Sequence, residues 1–212
     1  ARSLRWNGET WCGMARFATD SLEGVCLPPA LPTLGERMQQ AGYWTMGIAS
    51  NQFLFGEAGF SRGFDDWIEV GSPDRPFDRP KEERGKLSEL RSWGPVTDAA
   101  IGAFARRPRD RFFMFVHFMD VHDYHYAKVD YRGAVGVIDA AVGRLLDSLD
   151  SEGLLEGATV VLTSDHGEAF GELGVYADHH AADQATARLP LILRWPGHAP
   201  RVDAALYYHL DP

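Results

Sequence analysis

The chain has 212 residues, 45% hydrophobic and 24% charged, which is the composition of a globular domain with one sizeable core. No apolar run approaches the ~20 residues that span a bilayer. The formal net charge of −9 and the lack of a basic stripe argue against nucleic acid. The same charge gives no long-range attraction for an anionic substrate, which would need a local cation. Cys12 and Cys26 are the only cysteines and form no Cys-x-x-Cys, so neither a zinc knuckle nor a disulfide framework is indicated.

In chain order, residues 1–30 carry no clear period and hold several glycines and prolines, which reads as loop. Thr33 caps a short helix, with Glu36 three residues on as a capping box and Gly42 as the stop. A strand over 44–50 follows, then turns at Gly56, Gly59 and Gly63 around Phe60 and Phe64. Residues 71–94 read as a surface loop, because prolines, glycines and an alternating charge run fill them. A helix from Thr97 to about Arg106 leads to an aromatic and branched strand over 112–119. The longest helix covers about 129–150, with Val135, Ile138, Val142, Leu145, Leu146 and Leu149 as its core stripe. Val160, Val161 and Leu162 then read as a strand buried on both faces, as in a parallel sheet. A last strand covers 189–195, and residues 204–210 are strand-like. The alternation predicts an α/β fold, a mainly parallel sheet sandwiched between helices, in a single domain across 1–212. The chain begins without methionine and stops in mid-phrase, so the expectation is an incomplete domain, a piece of a longer protein.

Six of the eight histidines lie between 117 and 180, in or just beyond the ends of predicted strands. Asp120-Val121-His122-Asp123-Tyr124-His125 comes directly after the strand over 112–119. Asp165-His166-Gly167 ends the strand over 159–164. Asp178-His179-His180 lies in the loop beyond. In a parallel sheet the first two groups leave the same edge, where open α/β sheets bind ligands. Acid and imidazole together suit metal-assisted chemistry on an oxyanion ester, with imidazoles donating protons to ester oxygens. His117, inside a strand, reads as a core histidine. His125 with its flanking tyrosines reads as loop surface or substrate rim, and Asp139 takes no role.

These segments, in this order, resemble the sulfatase family of the alkaline-phosphatase superfamily. The resemblance rests on Pro32 to Thr45, Gly59-Phe-Ser-Arg-Gly-Phe-Asp65, Phe112 to His122, Thr159-Val-Val-Leu-Thr-Ser-Asp-His-Gly-Glu168, Gly174 to His180 and Arg188 to Gly197. It implies metal-dependent hydrolysis of sulfate monoesters of small molecules or carbohydrates. The alternatives are a phosphodiesterase, phosphonate hydrolase or phosphoethanolamine transferase of the same superfamily, or a non-catalytic member. Asp165 and His166 match one pair of the family's metal ligands. His122 and His179 match the histidines at the sulfate and its leaving oxygen, with His180 as the fallback for the second. The implied cofactor is one divalent ion, calcium first; the imidazole at 166 leaves manganese, magnesium and zinc open. The family's nucleophile is a formylglycine made in Cys-x-Pro-Ser-Arg. Cys12-Gly-Met-Ala-Arg16 lacks the Pro and Ser, so the nucleophile and the other metal ligands are expected outside this chain, and the piece alone is expected to be inactive. Asp178 stands where many members have lysine. The resemblance implies a periplasmic or secreted location, with the cytoplasm open, and leaves the oligomeric state and the particular ester undetermined.

Overall fold

A computed structural model describes residues 27–51, 54, 56–70, 92–108, 111–125, 129–174, 179 and 183–208, apart from the side chains of Glu57 and Leu173. The readings of 1–26 as loop, of both cysteines, of 71–91 and of His180 lie outside the described residues. Two compact units divide the chain, residues 1–148 and 149–212.

The first unit is built on a parallel sheet in the order β2-β1-β3, with β1 Trp44–Ala49, β2 Asp66–Glu69 and β3 Phe112–Val116. All six residues of β1 are buried, as a central parallel strand requires. Partners in register share a face of the sheet. Trp44, Met46 and Ile48 therefore lie on the same face as Phe112, Met114 and Val116. That face meets α2, Trp93–Ala105, where Phe104 packs edge-on against Phe112 at 5.1 Å. On the opposite face Trp67, Gly47 and Phe115 form one row. Gly47 supplies no side chain, and the Trp67 and Phe115 rings stack across it at 6.4 Å. A Cβ on Gly47 would collide with the Trp67 ring. Phe64 joins this cluster, 5.0 Å from Trp67 and 6.0 Å from Phe113.

Helix α1, Leu34–Gln40, closes that second face. Thr33 caps it: its Oγ1 accepts from Glu36 N at 3.1 Å, and Glu36 Oε2 accepts from Thr33 N at 2.7 Å. Gly42, at φ 84°, ends it in the left-handed conformation that favours glycine. Gly35 is buried against Phe64, whose ring would lie 2.7 Å from an added Cβ. Thr33 Oγ1 also donates to the Arg62 carbonyl at 2.8 Å. The Gly59–Asp65 segment thus docks α1, and Asp65 then meets β1. Its Oδ2 accepts from Thr45 N at 2.9 Å and from Thr45 Oγ1 at 3.1 Å, satisfying a fully buried threonine.

Three sequence expectations shift in this unit. β2 was not expected, because its four residues begin and end in acids. Helix α2 starts at Trp93 rather than Thr97: Gly94-Pro95 reads as a breaker, yet proline is tolerated in a first helical turn, where its missing N–H needs no partner. The long helix α3, Tyr131–Ser151, turns its small residues Ala134 and Ala141 inward with Leu145 and Leu149, and leaves Val135 exposed.

In the second unit β4, Val160–Thr163, pairs antiparallel with β5, Leu191–Arg194. This corrects the reading of 160–162 as a strand buried on both faces of a parallel sheet. Among the described residues β4 has only β5 beside it, and its burial alternates, with Val161 59% exposed. A three-residue apolar run fits a half-covered strand as well as a buried one. The strand-like 204–208 carry no regular structure. No helix among the described residues is long and apolar enough to cross a membrane.

Candidate metal and ester site

The segment after β3 turns at 120–125. Asp120, buried in the first of these positions, accepts hydrogen bonds from Ser92 N at 3.1 Å and from Ser92 Oγ. Ser92 is the N-cap of α2, but its hydroxyl serves Asp120 rather than the helix. The carboxylate therefore ties the exit of β3 to the start of α2. His122 is half-buried in this turn, with His125 edge-on at 6.5 Å and Tyr124 bridging from His125 to Tyr131. Burial, followed by the charge of Asp120, pushes Asp123 up from 3.8 to about 6. A carboxylate taken out of water beside another resists ionisation.

In the second unit, β4 ends at Thr163 and the chain passes through Asp165 and His166. Asp165 is 83% exposed; its Oδ1 accepts from His166 N at 3.0 Å. His166 Nδ1 lies 2.9 Å from the Gly167 carbonyl, an acceptor only, so this nitrogen carries the hydrogen. In the neutral ring, Nε2 then holds the lone pair a metal uses. Gly167 is required where it stands: its N–H donates to Thr186 O at 2.8 Å, and a Cβ there would collide with the Ala185 carbonyl oxygen. The partner strand of chain is held in turn by Asp183, whose carboxylate caps α4, Gln184–Ala187, through Ala185 N and Thr186 N.

His179 stacks on His166, the rings 4.5 Å apart and 21° from parallel. Its Nδ1 lies 3.4 Å from Oε2 of Glu168. Sequence reasoning gave Glu168 no part. The signal available was its place three residues after Asp165; its contact with a residue eleven positions on cannot be read from the chain.

The resemblance to sulfatases implies a divalent ion, and the donors here fit one. Asp165 Oδ2 and His166 Nε2 are 3.9 Å apart. Two ligands each ~2.0–2.5 Å from one ion are separated by at most ~5 Å, so the pair fits a shared ion. The donor set, one carboxylate and one imidazole, fits manganese or zinc as well as calcium. The structure thus brings Asp165, His166 and His179 together within the second unit, and places His122 in the turn after β3 of the first. Among the described residues β3 pairs in the parallel sheet and β4 in the antiparallel pair, so the strands that precede the two groups share no ladder.

Known proteins bear on this arrangement. The rat (Rattus norvegicus) steryl-sulfatase is 36% identical over 118 residues, covering 45% of this chain and 20% of its own length. Human (Homo sapiens) iduronate 2-sulfatase is 40% identical over 85 residues, covering 39% of this chain and 15% of its own. The chain thus spans a fifth or less of these curated relatives. A solved 2-O GAG sulfatase superposes with a TM-score of 0.60 at 14% identity, over 92% of this chain and 57% of that one, which supports the α/β fold. The sulfatase family model matches residues 9–211, a stretch that takes in the β1 sheet, the turn at His122 and the Asp165–His166 pair alike; the chain belongs to the sulfatase family.

Proposed function

We propose that this chain carries part of the catalytic site of a metal-dependent sulfatase that hydrolyses sulfate monoesters of small molecules or carbohydrates. The carrying observation is the Asp165–His166 pair beyond β4, two donors 3.9 Å apart with the imidazole held through Nδ1. In this reading Asp165 and His166 hold one divalent ion, calcium first, with manganese, magnesium or zinc open. When bound, the ion supplies positive charge against the sulfate oxygens in the transition state. His179, beside His166, gives a proton to the leaving oxygen, while His122 contacts the sulfate; His122 takes this role from its match to the family's motif alone. No Cys-x-Pro-Ser-Arg occurs in the 212 residues, so the proposed formylglycine nucleophile lies outside them.

The test is Asp165→Ala in the intact protein, assayed on an aryl sulfate and by metal analysis. Loss of the ion and a drop in turnover of about 10²-fold or more are expected. Near-native turnover, or a preference of the native protein for an aryl phosphate over the sulfate, overturns the reading.

A further inference from the structure

Two imidazoles in the second unit are held in the same way by consecutive residues. The carbonyl of Gly167 faces Nδ1 of His166 at 2.9 Å, and the carboxylate of Glu168 faces Nδ1 of His179 at 3.4 Å. The rings then stack at 4.5 Å. The Glu168 side chain is 10% exposed. A carboxylate so far removed from water requires a hydrogen-bonding partner, and the imidazole of His179 is one. At 3.4 Å the contact is long for a charge-assisted hydrogen bond, in keeping with a pair that closes up when substrate is bound.

We propose that Glu168 is a positioning residue for His179. By taking the hydrogen on Nδ1, Glu168 fixes which edge of the ring faces the ester and leaves Nε2 as the nitrogen that works. An imidazole without such a partner can flip about its Cβ–Cγ bond and present carbon where nitrogen is needed. The stack on His166 fixes the plane of the ring, and Glu168 fixes its rotation within that plane. As the nucleophile proposed outside these residues forms its bond to sulfur, the ester S–O bond breaks with its electron pair going to oxygen, the proton on Nε2 of the imidazolium passes to that oxygen, and the alcohol leaves. The hydrogen on Nδ1 stays on the ring throughout, donated to the Glu168 carboxylate. The inference rests on the proposed role of His179, and adds a residue that the family resemblance did not assign.

Protonation of the leaving oxygen matters most when the alcohol is a poor leaving group, so the test compares 4-nitrophenyl sulfate with an alkyl sulfate in the intact metal-loaded protein. His179→Ala is expected to lower kcat by about 10²-fold or more on the alkyl ester and far less on the nitrophenyl ester. Glu168→Gln, which keeps the shape and an acceptor oxygen, should show the same bias at about 10-fold. Glu168→Ala should fall further than Glu168→Gln, and neither should change KM or metal content. Adding Glu168→Gln to His179→Ala should cost nothing more. Equal losses on both esters in Glu168→Gln, a rise in KM alone, or loss of the metal would overturn the role of Glu168. A His179→Ala variant with no leaving-group bias would instead overturn the reading of His179 itself. Should Glu168→Ala fail to fold, the isosteric Gln variant and its double mutant decide the matter.

Discussion

β1 and β4 are both short apolar strands, yet they sit in opposite physical settings. β1 is covered on both faces, by Phe104 and α2 on one side and by the Phe64–Trp67 cluster and α1 on the other. Among the described residues β4 has one partner strand, and Val161 beside Leu191, Ile192 and Leu193 of that strand remain exposed. The first unit gathers buried apolar side chains around its sheet, whereas the second brings Asp165, His166, Glu168 and His179 together just beyond β4. Burial belongs to what surrounds a strand more than to the strand's own residues.

The largest contrast in stability should come from truncating matched positions. Ile48→Ala removes a fully buried side chain and is expected to cost about 3–4 kcal/mol in urea denaturation. Val161→Ala should cost less than about 1 kcal/mol, since most of that side chain is already in water. Equal losses would erase the distinction between the strands. Gly167→Ala sharpens it from the other side. Its Cβ forces the 167–168 segment off the Ala185 carbonyl and with it the acceptors that hold both rings. A 10–100-fold loss of metal affinity by calorimetry is expected, with a smaller fall in denaturation midpoint than Ile48→Ala causes.

Asp123 offers a pH-dependent version. Its native pKa of about 6 lies above the ordinary 3.8, so the native state binds a proton more tightly than the unfolded state does. Stability is therefore lost as pH rises from about 4 to 6, and is flat above that. Asp123→Asn should match the native protein at pH 4 and exceed it by about 2 kcal/mol at pH 7. No divergence between the two denaturation curves would mean that Asp123 is solvated. The smallest effect is assigned to Thr33→Ala, about 1 kcal/mol from loss of the α1 cap, read from the thermal midpoint.

The elements legible from sequence were those with local causes. The capping box at Thr33 and Glu36 needs only four residues, and the aromatic run of β3 needs only its own composition. β2 is not legible locally, because its pairing with β1, twenty residues away, makes it a strand. The apolar run of β4 announces a strand but does not state how many of its faces are covered. At the site, Asp165 and His166 were readable as neighbours after a strand. The stack of His166 on His179 and the approach of Glu168 depend on the return of the chain thirteen and eleven residues later. Those contacts are long-range, and no spacing rule encodes them.

The bond between Ser92 and Asp120 carries a consequence for how such a protein varies. Val70 is pinned at one end by its N–H donating to Ala49 O at 2.9 Å, and Ser92 is pinned at the other by the buried carboxylate of Asp120. The distance that the intervening residues must bridge is thus set by the sheet and by α2, independently of their number. Doubling the length of a connection adds only about 0.6 kcal/mol of closure entropy. Changing the number of residues between 70 and 92 should therefore cost little while the turn that carries His122 keeps its footing.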